Sequence, residues 1–214
     1  CFAITSFFYH VIIRSHGGWH SYGAFIAGFI LYVIVFSIFE QPIKTYVFGH
    51  ELTHAFWILV FRGNIQGFKV SANGGSVTTN KSNFFISLAP YFFPIYGACV
   101  MVVYGGLSFF WNMRPYYILF VFMLGFAWAF HVTMTVSILR KGQPDLKSEG
   151  IVFSCIIIYI MNLFVLSLIG LFVNRDLTVT VFFTKLYDSL AVTYTQWAGY
   201  IPVAIQWVCT VLRK

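Results

Sequence analysis

Three residues in one short stretch have the types and spacing for metal-assisted hydrolysis: His50, Glu51 and His54, in the run His50-Glu51-Leu52-Thr53-His54. On a helix, positions four apart lie on one face, about one turn from each other. Both imidazoles can therefore aim a nitrogen at a single metal ion. Glu51 is rotated by about 100° from His50, so it can address a water beside the metal without being a ligand. Zinc lowers the pKa of such a water to about 7 and polarises a carbonyl. Glu51 can then take the water proton and hand it to a leaving amine, as general base and acid. In a chain of this composition an H-E-x-x-H run arises by chance about 0.002 times, so the motif carries weight against the bland reading of two packed core histidines.

Catalytic zinc needs a third protein ligand and an open position. Two residues are candidates. Asp145 lies in Arg140-Lys141-Gly142-Gln143-Pro144-Asp145-Leu146, between two apolar runs, where Pro144 interrupts helix. His131 lies inside an apolar run. It precedes Arg140 by about as many residues as His54 precedes Arg62, which places both histidines at a similar depth, on the order of 12–14 Å along their helices. Asn162 is a weaker candidate for substrate or ligand contact. His10, His16 and His20 read as interfacial or solvated, and Glu149, Asp176 and Asp188 as loop charges.

The motif sits in an apolar segment, Thr45 to Phe61, whose only charge is Glu51. The segment is just long enough to cross a bilayer, where a carboxylate costs about 2.5–3.5 kcal/mol on insertion scales. Composition agrees with a membrane chain: 59% hydrophobic, 21% aromatic and 9% charged residues, with a mean hydropathy of +0.81. Soluble domains carry about 25% charged residues. The apolar runs are a first one ending at Ile13, then Tyr22 to Phe39, the motif segment, Phe84 to Trp111, Pro115 to Leu139, Ile151 to Val173, and Ser189 to Leu212, which could also lie in the interface. They predict an all-α polytopic membrane protein with six or seven transmembrane helices. It is read as one integral membrane domain over 1–214, with a catalytic core of about 45–162. The first run is short and begins at Cys1, so further residues are expected upstream.

The formal net charge of +7 comes from Lys and Arg residues lying mostly between apolar runs, where they act as topology signals. If all seven runs span, the side that receives Arg62, Lys69, Lys81, Arg140, Lys141 and Lys147 is the richer and therefore cytoplasmic. No basic cluster is interleaved with exposed aromatics, so nucleic acid is not an expected partner. Cys1, Cys99, Cys155 and Cys209 have no C-x-x-C spacing and read as small buried hydrophobes. After the motif segment, Ile65 to Ala72 and Ser76 to Asn80 flank Asn73-Gly74-Gly75. An Asn-Gly pair between strand-like runs predicts a small β-hairpin, whose edge between Gln66 and Ser71 could pair with an unwound peptide. Pro90 and Pro94 predict helix breaks that open a polar, water-accessible cavity.

Taken with these motifs, the stretch from Thr45 to Asn162 resembles the site-2 protease family of intramembrane zinc metallopeptidases. His50, Glu51 and His54 match that family's H-E-x-x-H. The hairpin resembles its membrane-associated β element, and Leu88-Ala89-Pro90 with Pro94 loosely resembles the small-residue and proline segment that follows. Gln143-Pro144-Asp145-Leu146 resembles its aspartate segment, although Leu146 stands where the family commonly has Gly. The resemblance implies a multi-pass integral membrane protein, in the cell membrane rather than an internal one. It implies Zn2+ held by His50, His54 and Asp145, with His131 the alternative third ligand, and Glu51 as the catalytic residue. The partners implied are the lipid bilayer, a membrane-spanning or membrane-anchored protein substrate, and a regulatory membrane partner, since no linker here is long enough for an inserted PDZ or CBS domain. A prenyl-protein type metallopeptidase fits less well. It expects a downstream E-x-x-x-H, and Glu149 is the only later glutamate, with no histidine after it. The reading from another class is a non-catalytic metal-binding membrane subunit or transporter, because intramembrane histidines and carboxylates also form ion pathways.

Overall fold

The computed structural model describes residue 5 and residues 18–71, 74–140, 142–174 and 177–212, with side chains at the far C-terminal end largely outside that description. The chain is mostly helical with one small sheet. In order the elements are α1 (Trp19–Ile38), α2 (Ile43–Val60), β1 (Ile65–Ser71), β2 (Gly74–Thr79), α3 (Phe84–Leu88), a 3-10 turn (Ala89–Tyr91) and α4 (Ile95–Ser108). A second 3-10 turn (Arg114–Tyr116) then leads into α5 (Tyr117–Leu139), followed by α6 (Pro144–Glu149), α7 (Ile151–Val173) and α8 (Val179–Leu212).

Among the described residues, three stretches are long and apolar enough to cross a membrane: α1, α5 with its leading 3-10 turn, and α7. A fourth arises if α3 with its 3-10 turn and α4 form one span, bent by 79° at the break between Tyr91 and Ile95. The apolar run from Phe84 to Trp111 is thus two helices rather than one. Pro90 and Pro94 explain the bend, since neither offers an amide donor to continue a helix. The motif helix α2 is not among the three, because Lys44, His50, Glu51 and His54 dilute its apolarity. The first apolar run lies almost wholly outside the described residues. The last one is the C-terminal part of α8, a helix that begins earlier than its apolar run.

α5 is the central helix, with more than half of its apolar stretch buried. Its closest partner is α1, and two glycines set the approach. A Cβ at Gly28 would overlap the Phe122 carbonyl of α5, and one at Gly125 would overlap the Phe25 carbonyl of α1. Backbones that touch in this way need small residues at the crossing, as in membrane helix pairs generally. Tyr32, one turn on from Gly28, seats its ring edge-on against Phe126 and Phe130 at 5.0 and 5.5 Å. A second cluster joins the bent segment to α6 and α7 through Leu88, Ala89, Tyr91, Phe92, Leu146 and Ile158.

The hairpin forms where the strand-like runs predict it, with β2 beginning two residues earlier than expected, at Gly74. Ser71 pairs with Gly74, so Gly74 already belongs to β2. Ala72 and Asn73 lie outside the described residues. Gly74 has φ 139°, a backbone state that favours glycine. The hairpin's base is fastened to the end of α2. The Asn64 amide donates to Asn80 Oδ1 at 2.8 Å, and Lys81 Nζ donates to the Phe61 carbonyl at 2.6 Å. A cation at a helix C-terminus also complements the helix dipole.

The glycine crossing generates the first prediction. Gly28→Leu or Gly125→Leu must push α1 and α5 apart, and overpacking of this kind costs about 1–3 kcal/mol or more. Thermal unfolding in detergent should show a marked loss of stability for either variant, while Gly105→Leu, whose Cβ position is open, should unfold like the parent.

Candidate metal centre

α2 presents His50 and His54 on one face, with their Nε2 atoms 3.2 Å apart. Asp145, the second residue of α6, brings Oδ2 to 3.6 Å from His50 Nε2 and 3.8 Å from His54 Nε2. Tetrahedral zinc with bonds of about 2.0–2.1 Å holds its ligand atoms about 3.3–3.4 Å from one another. The three donors therefore already lie within a few tenths of an ångström of a zinc-sized triangle. Among the described residues this is the one group of three such side chains that could hold a metal ion.

Each of the three side chains has a further partner. His54 Nδ1 lies 2.9 Å from the Ile86 carbonyl, which can only accept, so Nδ1 carries the proton and Nε2 keeps its lone pair for the triangle. His50 Nδ1 lies 3.4 Å from the Tyr46 hydroxyl, one turn back on the same helix. The Tyr91 hydroxyl donates to Asp145 Oδ2 at 2.8 Å. Burial raises the Asp145 carboxyl, but the neighbouring His50 imidazole, the hydrogen bond from Tyr91 and the adjacent His54 outweigh it, leaving its pKa below the ordinary value. Partners of this kind fix the orientation of metal-binding side chains.

Glu51 is buried, with 6% of its surface exposed. β2 lies directly against it. A Cβ at Gly75 would overlap Glu51 Cγ and stand 2.8 Å from Oε1. A cavity of about 530 Å³ opens beside the triangle. Its walls are α2 at Tyr46 and Glu51, β2 at Gly75 and Val77, and the Ile86 and Pro144 side opposite. The strand facing the cavity along its length is β2. The β1 residues from Gln66 to Ser71 do not line it.

Depth matching favours His131, but the structure does not bring it to the pair. Its ring is buried on α5 beside Asn162 and the Tyr91 carbonyl, and it lines a second, small cavity with Tyr46, His50, Thr53 and Pro90, outside the group of His50, His54 and Asp145. Equal depth fixes only one coordinate; the azimuth of α5 turns His131 toward the bent segment. Asn162 does not enter the main cavity either. Its Nδ2 donates to the Tyr91 and Ile158 carbonyls at 2.9 and 2.8 Å. His20 lies exposed at the start of α1, and His10 and His16 lie outside the described residues. Sequence reasoning missed Tyr46, Tyr91, Gly75 and the Ile86 carbonyl. Only Tyr46 had a local signal, four residues before His50 on the same helical face.

No protein-family model matches the chain, and neither the curated proteins nor the solved structures contain a significant match to it. The geometry therefore carries the argument. His50→Ala, His54→Ala and Asp145→Ala should each lose bound zinc, while His131→Ala should retain it. Metal analysis of the four purified variants checks this, and full zinc in Asp145→Ala with none in His131→Ala would reverse the assignment of the third ligand.

Proposed function

We propose that the chain is an integral-membrane zinc endopeptidase of the site-2 protease type, acting on membrane-spanning or membrane-anchored polypeptides. The observation that supports it most directly is the donor triangle of 3.2, 3.6 and 3.8 Å on an H-E-x-x-H helix, open to a peptide-sized cavity. In this reading α2 and the bent segment lie at membrane depth beside the three long apolar helices. His50, His54 and Asp145 hold the metal, with His50 Nδ1 beside the Tyr46 hydroxyl, His54 Nδ1 tied to the Ile86 carbonyl and Asp145 Oδ2 accepting from the Tyr91 hydroxyl.

Zinc bound there would polarise the scissile carbonyl and lower the pKa of a water. Glu51 accepts the water proton and passes it to the leaving amine. Gly75 covers the Glu51 side chain with bare backbone, which limits solvent around the carboxylate and holds it in place. A peptide bond inside a helix is shielded by its own hydrogen bonds, so the substrate must be extended when it reaches Glu51. β2 offers backbone donors and acceptors to such a segment, in the manner of strand addition. The wall opposite is apolar at Ile86 and Ile138, which suits a substrate drawn from the bilayer.

Glu51→Gln should keep its zinc and lose about 10²–10⁴-fold in hydrolysis of a transmembrane reporter, the usual contribution of a general base. A near-parental rate would sink the proteolytic reading and favour a metal-binding subunit or transporter, in which Glu51 has no such task. Gly75→Ala should push on Glu51, so kcat should fall while zinc content is unchanged. If the alanine variant cleaves at the parental rate, β2 does not rest on the base during the reaction.

A further inference from the structure

Pro90 stands where a missing amide matters to the metal centre. In an α-helix the carbonyl of residue 86 accepts from the amide of residue 90. The helical bond just before it is made, and the chain then continues as the 3-10 turn over Ala89–Tyr91. The Ser87 amide donates to the Asn83 carbonyl, the Ala89 amide to the Phe85 carbonyl and the Phe93 amide to the Ala89 carbonyl. Pro90 has no amide hydrogen, so the Ile86 carbonyl is left without a helical donor. A buried carbonyl in that state needs another partner, and His54 Nδ1 supplies it at 2.9 Å. The start of the segment is fixed independently, since Asn83 Oδ1 caps α3 through the Ile86 amide at 2.8 Å. Ile86 is thus held by its amide while its carbonyl points to His54.

The next residue serves the third ligand. Tyr91 is fully buried. Its hydroxyl donates to Asp145 Oδ2 at 2.8 Å, and its own carbonyl accepts from Asn162 Nδ2 at 2.9 Å. Its ring also stands edge-on to His50, with centroids 5.2 Å apart. Two adjacent residues at one helix break therefore orient groups that approach from different elements, His54 on α2 and Asp145 on α6.

We infer that the Pro90–Tyr91 break is the positioning element of the centre: Pro90 frees the Ile86 carbonyl to hold the His54 tautomer, and Tyr91 holds Asp145. The inference rests on the metal-centre reading for its purpose, but its Pro90 half can be read without metal. Ring ¹⁵N spectra of metal-free protein, with His54 assigned by its loss in His54→Asn, should show the Nδ1–H tautomer in the parent. Pro90→Ala adds a competing amide, so that tautomer should lose its dominance. Zinc affinity, measured by chelator competition, should fall in both Pro90→Ala and Tyr91→Phe by about 10–100-fold, the usual effect of removing an outer partner. The visible spectrum of the cobalt-substituted protein should shift in Tyr91→Phe. Tyr91→Phe removes one oxygen and keeps the ring packing, so it decides the matter if Pro90→Ala does not fold. An unchanged His54 tautomer in folded Pro90→Ala overturns the carbonyl half. Unchanged zinc affinity and cobalt spectrum in Tyr91→Phe overturn the phenol half. A parent protein that binds no zinc sinks the metal reading itself, while the tautomer comparison still tests Pro90.

Discussion

An imidazole has two nitrogens, and a histidine can offer one to a metal in a fixed direction only if the other is occupied. That constraint organises the middle of this chain. A helix alone brings His50 and His54 to the same face, yet it leaves both rings free to turn about their side-chain bonds. Here His54 is tied to the Ile86 carbonyl and His50 sits against the Tyr46 hydroxyl. The tie to Ile86 requires the bent segment to lie beside α2, and the bent segment in turn requires α6 and α7 behind it, through Leu88, Phe92, Leu146 and Ile158. Much of the apolar packing thus serves to keep one carbonyl and one phenol in register with the motif helix.

Polarity is distributed in keeping with this. Glu51, His54 and Asp145 cluster at one cavity, while the faces of α1, α5 and α7 away from it expose Ile, Leu, Val and Phe. A helix with apolar residues all round suits either a large core or lipid. The hairpin is the exception, since most of its residues are exposed. It is held at its base by Asn80 and Lys81 and at its far strand by contact with Glu51, so a mostly exposed sheet still has a defined position over the site.

The local features were legible in the sequence. The H-E-x-x-H spacing, the uncharged flanks and the hairpin runs depend on neighbours within a few residues, and periodicity and turn chemistry report those directly. β2 begins at Gly74 rather than at Ser76, because Gly74-Gly75 reads as turn chemistry while the paired Gly75 lies against Glu51, a contact no local pattern encodes. The proximity of Asp145 to the histidines was reached through family resemblance, while the geometric argument from depth pointed to His131. Which of the two lies near the pair depends on the rotation of α5 about its axis, and no local pattern encodes it. Tyr91 and the Ile86 carbonyl were invisible for a related reason. Their partners lie 54 and 32 residues away, and a main-chain carbonyl has no letter in the sequence. The number of spans also resisted reading, since a hydropathy run does not show that Pro90 and Pro94 fold it through 79°.

The glycine crossing of α1 and α5 has a consequence in time. These two helices bracket the motif helix, the hairpin and the bent segment along the chain, and Asp145 follows the second of them. A ribosome adds about 5–20 residues per second, so the roughly 90 residues between His54 and Asp145 take on the order of 5–20 s to emerge. Through that interval the nascent protein carries His50, Glu51 and His54 without Asp145. α1 and α5 can clasp only near its end, and Asp145 follows directly. The order of synthesis therefore brings Asp145 to the cluster only after both clasping helices have been made.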